Sequence, residues 1–335
     1  MDQKKLITDL KAGQIAPLYL LYGDERYLIQ HYGNAITNAV FPSKKENQFE
    51  EKQFTDTFDQ QTPVSEIIMT AETLPFFAPH RLIHVKDSKL FVTGRKVESE
   101  AMAKYLPNIP PGTTIIFTEY EIDKRSKLYK EAAKTACVID CSTPTPQTLA
   151  TWATKLARQN KKEIAPPTAH KLVQTVGTNM ALLSQEINKL IAYVGANPQI
   201  TPADVEAICT PTTESRIFDL IKAMMAKNTS QALTRYHDML LLKESPIMVL
   251  TMVIRQFRNI LLCKLAKEAG LTIYESTKEL SLRDFMVEEA LRQGSKFTVD
   301  QLIGALDESL ETDIKIKSGL ITPELGVELL IIKFS

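Results

Sequence analysis

The sequence predicts an α/β domain followed by an all-helical remainder. Short apolar or β-branched runs of strand length alternate with helix-length segments over roughly the first 140 residues. Strand signals then stop after Cys141, and two breaks rich in Pro, Thr and Ser, STPTPQ and CTPTTES, divide the rest of the chain. At 335 residues and 44% hydrophobic content the chain is long enough for two or three cores, given a usual size of about 100 to 200 residues per domain.

In chain order, strands are expected at Leu18 to Tyr22 (LYLLY), Glu50 to Thr55, Arg81 to Asp87 (RLIHVKD), Thr113 to Glu119 (TTIIFTE) and Ala136 to Asp140 (ACVID). The segments between them are long enough for crossover helices, as at Tyr27 to Val40 and Val64 to Ala71. That order favours a mainly parallel sheet whose near-continuous apolar strands are covered on both faces. STPTPQ reads as a linker. Beyond it Leu149, Trp152 and Leu156 share one helical face, Gly177 stops a helix, and Leu183, Ile187, Leu190 and Ile191 recur at helical spacing. Thr201, Pro202 and Asp204 open a further helix as N-cap and capping box, completing a small all-helical second domain. After CTPTTES come three stripes: Ile217, Leu220, Ile221, Met224, Met225; then Leu233, Tyr236, Leu240, Leu241; then Ile247, Leu250, Ile254, Phe257, Leu261. Their Met and aromatic residues read as the core of a helical bundle. The expected domains are residues 1–143, 144–210 and 211–335.

Forty basic and forty acidic residues cancel. There is no global positive field to drive nonspecific nucleic-acid binding, so contact with DNA has to be local or shared with partners. Cys137, Cys141, Cys209 and Cys263 are scattered and lack the spacing of zinc or redox motifs, so they read as reduced, buried thiols. No window approaches the roughly 18 uninterrupted apolar residues of a membrane span, and MDQKKLITDL has no signal-like apolar run. The expectation is a soluble, cytoplasmic protein with no membrane partner.

The search for chemistry excludes more than it finds. After the first strand of such a domain a phosphate-binding loop needs closely spaced glycines and a Lys followed by Ser or Thr. Here the turn reads YGDERYLIQHYG. Asp24 and Glu25 place negative charge where a triphosphate needs amides and a lysine, and no GK[ST] occurs. Like charges at about 4 Å repel by roughly 1 kcal/mol even in water, so the loop is expected to reject ATP, and no cofactor is expected. His31, His80, His84, His170 and His237 form no metal-ligand pair, and no GxSxG elbow is present. Neither a metal nor a catalytic residue is therefore expected. Asp87 stands where an ATPase carries its magnesium-binding acid, but Ser88 is not the Glu expected next, and the acid reads as a solvated strand end. KDSKLF and the cluster Asp123, Lys124, Arg125, Lys127 read as solvated charge runs.

The segment AETLPFFAPHR is the exception to a polar loop pattern. Leu74, Pro75, Phe76 and Phe77 sit between an amphipathic helix and a strand. Loops run over the surface, so the rings either complete the first-domain core or point at a partner.

Seven stretches in order resemble the delta subunit of the bacterial DNA polymerase III clamp loader: PLYLLYGDERYLI, TLPFFAPHRLIHV, IDKRSKLYK, MALLSQEINKLIAY, RIFDLIKAM, IRQFRNILL and DIKIKSG. The resemblance implies an AAA+-like parallel α/β domain with a degenerate nucleotide site, a small helical lid domain and a C-terminal helical collar domain. It implies a clamp-loader subunit with no catalysis of its own, within the DNA polymerase III holoenzyme. Its partners would be the sliding clamp (beta subunit), the gamma/tau and delta prime subunits through the collar, and primed DNA within the assembled complex. It assigns Leu74, Pro75, Phe76 and Phe77 as a hydrophobic wedge that binds the clamp and opens the ring for loading. Two other classes, a degenerate P-loop-type ATPase and a free-standing DNA-binding module, predict respectively measurable nucleotide binding and tight, salt-sensitive DNA binding by the isolated chain.

Overall fold

A computed structural model of the chain describes residues 3–42, 55–73 and 80–335. It divides into two compact units, residues 1–143 and 144–335. The chain is α/β plus all-α.

In the first unit, β1 (Leu18–Tyr22), β2 (Thr55–Phe58), β3 (Arg81–Lys86), β4 (Thr113–Glu119) and β5 (Cys137–Asp140) form one parallel sheet in the order β2-β3-β4-β1-β5. Leu18 lies opposite Ile115, and Tyr19 opposite Cys137. Alternate side chains feed two layers. Leu18, Leu20, Ile83, Val85, Ile115 and Phe117 pack with Val64, Ile67 and Ala71 of α3 (Val64–Glu72), Met102 and Ala103 of α4 (Lys96–Tyr105), and Leu128 and Ala132 of α5 (Lys127–Thr135). On the opposite face lie α1 (Gln3–Lys11) and α2 (Arg26–Val40), the latter burying Leu28, Tyr32, Ile36 and Val40. Burial on both faces explains why β1 and β4 are apolar without alternation.

The strand expected at Glu50 to Thr55 is found at Thr55–Phe58, and residues 50–54 lie outside the described residues. KDSKLF is a second correction, because it is not a solvated run. Ser88, Leu90 and Phe91 are fully buried, with Phe91 set edge-on against Phe117 at 5.3 Å. Asp87 and Lys89 adopt positive φ (48° and 58°), turning the chain inward at Ser88.

The second unit begins with α6 (Pro146–Gln159), α7 (Pro166–Val176), α8 (Met180–Val194) and α9 (Pro202–Ile208). Gly177 ends α7 at φ +85°, and Thr201 and Asp204 form a reciprocal capping box on α9. The expectation of helices alone misses a two-residue parallel ladder, β6 (Glu163–Ile164) with β7 (Gln199–Ile200), which is too short to leave a periodic signal. Then come α10 (Thr213–Met225), α11 (Thr229–Leu241), α12 (Pro246–Glu268), α13 (Ile273–Leu280), α14 (Asp284–Gly294), α15 (Val299–Lys317) and α16 (Pro323–Phe334). Their core takes in Ile217, Leu220, Ile221 and Met224 as expected, together with Tyr236 and Phe257.

Two of the expected stripes are displaced. Leu241 is 82% exposed and Ile247 48% exposed, while Met239, Val249, Val253 and Ile260 are buried instead. By length and composition α12 is the one described helix able to cross a membrane. Here Val249, Leu250, Val253, Phe257, Ile260 and Cys263 fill the bundle core, and Arg255 and Arg258 are exposed on the other side. All four cysteines are buried, as expected.

Phe257→Ala is expected to destabilise the second unit by about 3–5 kcal/mol through lost burial and a residual cavity. Leu241→Ala is expected to change stability by no more than about 0.5 kcal/mol, as for exposed sites generally. Urea unfolding of the two variants checks the displaced stripe directly.

Candidate functional site

Leu74, Pro75, Phe76 and Phe77, expected from the resemblance to form a wedge, lie outside the described residues. Both ends of their segment are firmly held. On one side α3 closes at Thr73, whose Oγ1 donates to the Met69 carbonyl at 2.9 Å, and the Ala71 carbonyl accepts from Thr113 Oγ1 at 3.2 Å. On the other side the Arg81 amide donates to the Gly112 carbonyl at 2.8 Å, and Arg81 Nη1 pairs with Asp56 Oδ2 at 2.9 Å. Gly112 and Thr113, at the start of β4, thus anchor both flanks. Met69, on the last turns of α3, is 65% exposed.

The other candidate region is the carboxyl end of the sheet, where open α/β folds bind their ligands. The turn from β1 into α2 is closed by its own backbone. The Gly23 amide donates to the Glu119 carbonyl at 2.9 Å and the Glu25 amide to the Cys141 carbonyl at 3.0 Å. Glu25 then caps α2, its Oε1 accepting from the Tyr27 amide at 2.9 Å. Asp24 Oδ1 accepts from the Thr143 amide at 2.7 Å. Gly23 has φ +138°, and a Cβ on it would collide with the backbone of Cys141 and Ser142. Only glycine satisfies both demands. The amides that a phosphate would need are therefore engaged by the protein, and carboxylates occupy the mouth of the helix.

Beside this turn, Ser88 takes the place next to Asp87 where a catalytic Glu is expected. Its amide and hydroxyl donate to Glu119 Oε1 at 3.0 and 2.5 Å, and the Lys89 amide donates to Oε2 at 3.3 Å. Asp87 is paired with Lys89 Nζ at 2.9 Å, so it is not a freely solvated strand end. Burial pushes the Glu119 carboxyl up to about 7, against the pull of those three donors. On β3, burial and the Lys86 charge push His84 down to about 4, and its Nε2 lies 3.4 Å from Thr37 Oγ1 on α2. His84, Glu119, Arg26 and Lys86 line one shallow cavity of about 420 Å³. Arg26 also lies over the Tyr120 ring at 5.6 Å.

The pairing of Ser88 with Glu119 is not visible to sequence reasoning. An acid closing an apolar strand, with a small hydroxyl residue 31 positions earlier, leaves no local signal. Among the described residues no group of three His, Cys, Asp or Glu could hold a metal ion. In the cluster after β4, Asp123 pairs with Arg125 at 3.0 Å and Lys124 sits over the Tyr22 ring at 5.2 Å, while Lys127 is exposed.

Strand order and trailing helices define an AAA+-like parallel α/β module followed by a helical unit. The comparisons with known proteins make this specific. The family model for the DNA polymerase III delta subunit matches residues 19–142, and that for its C-terminal domain matches residues 214–334. DNA polymerase III subunit delta of Bacillus subtilis is 29% identical over 334 residues, covering 97% of this chain and 94% of that protein. The solved structure of the Bacillus subtilis DNA clamp loader delta protein superposes with a TM-score of 0.80 at 27% identity, over 99% of this chain and 98% of that one. The chain belongs to the DNA polymerase III delta subunit family.

The two perturbed groups in the cavity have opposite pH signatures. Glu119 binds its proton more tightly folded than unfolded, so its contribution to stability falls as pH rises from about 4.5 to 7; a shift of that size corresponds to about 3 kcal/mol. His84 holds its proton less tightly when folded, so its contribution is lost as pH falls from 6.5 towards 4. Relative to wild type, Glu119→Gln is expected to gain about 3 kcal/mol between pH 4.5 and 7.5, and His84→Gln to gain on acidification. Urea unfolding across that range checks both; parallel profiles would contradict the assignment.

Proposed function

We propose that this chain is the clamp-gripping subunit of a DNA polymerase III clamp loader, acting in the cytoplasm. Its family membership supports the role in clamp loading. The observation that carries the reading is the apolar run Leu74, Pro75, Phe76 and Phe77 in the sequence, whose described neighbours Thr73 and Arg81 are both held by hydrogen bonds, at the end of α3 and the start of β3. Fully burying two phenylalanine side chains on a partner contributes up to roughly 3 to 6 kcal/mol, or two to four decades of affinity. Pro75 restricts the unbound segment and so lowers the entropy cost of presenting the rings.

The mechanism is mechanical. ATP bound by neighbouring subunits shifts the assembly to a state in which the wedge reaches the sliding clamp. The wedge binds the open or strained ring more tightly than the closed one, and that difference in affinity is what biases the ring. Loading onto primed DNA comes next, and release lets the ring close. The chain itself transfers no group.

We assign residues 1–143 to clamp binding, 144–210 to the lid and 211–335 to the collar that holds the gamma/tau and delta prime neighbours. In support, the collar core draws only on residues from Ile217 onward. The collar also leaves apolar residues uncovered: Ile303, Leu310 and Ile314 on α15, and Leu325, Leu329 and Ile332 on α16. Exposed apolar residues clustered on two neighbouring helices fit packing against other subunits.

Capture of the matching sliding clamp by wild type and by the double variant Phe76→Ala, Phe77→Ala tests the site. The expected result is a loss of about two decades of affinity or more, in line with the burial of two rings. Undiminished capture would remove the site assignment and leave the family unchanged.

A further inference from the structure

We propose that the outer face of α6, with the turn behind it, is a contact strip for the phosphate backbone of DNA. The chain as a whole is neutral, but its charge is not evenly spread. No Asp or Glu occurs from Cys141 to Lys162, and after Glu163 none occurs until Glu186. Residues 141–185 therefore hold five cations, Lys155, Arg158, Lys161, Lys162 and Lys171, against the single Glu163, an excess of four.

Two of the five have internal partners. Lys162 is buried and donates to the Gly195 and Asn197 carbonyls, and Lys171 pairs with Glu206. Lys155, Arg158 and Lys161 are exposed and make no ion pair among the described residues. Lys189, Arg216, Arg255, Arg292, Lys315, Lys317 and Lys333 each have a carboxylate within reach; Lys222, Lys227, Arg235, Lys243, Arg258 and Lys278 are exposed without an ion pair as well, so what distinguishes the strip is its acid-free stretch of sequence.

Helix geometry puts the unpaired cations in register. The buried side of α6 is Leu149, Ala150, Ala153 and Ala157. At 100° per residue, Gln147, Thr151, Lys155 and Arg158 fall on the opposite arc, and Lys161 comes next at positive φ in the turn. Thr151 and Thr154 donate their hydroxyls to carbonyls one turn back, so they add little relief and no charge. The result is a flat strip with cations at spacings of three residues, flanked by the amides of Gln147 and Gln159. These are the side-chain types that contact phosphate without reading sequence. From Gln147 to Arg158 the strip runs about 16 Å, matching about five phosphates of one strand at about 3.4 Å each. A rim meant for an apolar partner would carry exposed Leu or Ile, and α6 has none among its exposed large residues.

The strip goes beyond the clamp-gripping reading and does not depend on the wedge. The test is fluorescence anisotropy of a labelled primed duplex titrated with the full chain at salt concentrations from about 50 to 200 mM, the range over which phosphate contacts are lost. Replacing Lys155, Arg158 and Lys161 with Gln is expected to weaken binding at least tenfold at the low end. It is also expected to flatten the slope of log K against log salt by about 2 to 3, near 0.9 per contact. Arg292→Gln with Lys315→Gln, which removes two paired cations, is expected to leave the slope unchanged. Since all three strip residues are exposed, the thermal midpoint and clamp capture of the charge variant should match wild type. Superimposable isotherms for wild type and the triple variant would overturn the proposal. So would wild type failing to bind at about 50 mM salt, a result that would assign the strip to an acidic protein surface instead.

Discussion

The architecture of the first unit turns on one backbone joint. Gly23, at a φ that side chains rarely tolerate, lies flat against Cys141 and Ser142, while its amide and that of Glu25 are taken by carbonyls at the ends of β4 and β5. In an open α/β sheet this position is the natural seat for a phosphate. Here it is a packed seam joining three neighbouring strands. Once the amides are engaged internally, the module has little with which to hold a nucleotide. In the proposed clamp-gripping role, free energy for the conformational task comes through contacts with partners.

The same seam explains the chemistry beside it. The chain leaves β3 through two left-handed residues, Asp87 and Lys89, and Ser88 between them is held by Glu119. A buried carboxyl with three donors and a half-buried His84 imidazole, kept neutral by desolvation, line the corner beside this turn. Their pH dependences oppose one another, so between about pH 4.5 and 6.5 the loss from one is offset by the gain from the other.

Much of this was legible in the sequence where burial is two-sided or a cap is local. LYLLY and TTIIFTE read as central strands because nothing along them alternates, and Thr201 with Asp204 announces α9 within four residues. The failures have a common cause in distance. KDSKLF looks like a charge run until Glu119, far along the chain, draws Ser88 inward and brings Leu90 and Phe91 with it. On α12, apolar residues surround much of the helix, so periodicity could not choose between Ile247, which is exposed, and Val249, which is buried. The proposed wedge at residues 74–77 was legible only as composition, two aromatics and a proline, and its role rests on resemblance. The strip on α6 could be read as an absence of acids, but its significance depended on seeing that its cations are unpaired.

Charge segregation and the closed turn both fit the proposal that this chain acts through its surfaces. Isothermal titration of the full chain with Mg·ATP tests the closed turn most directly. The expected result is no saturable heat up to about 1 mM nucleotide, a limit equivalent to about −4 kcal/mol. Saturable binding in the micromolar range, abolished by substitution at Gly23 or Arg26 in a variant that remains folded, would contradict it.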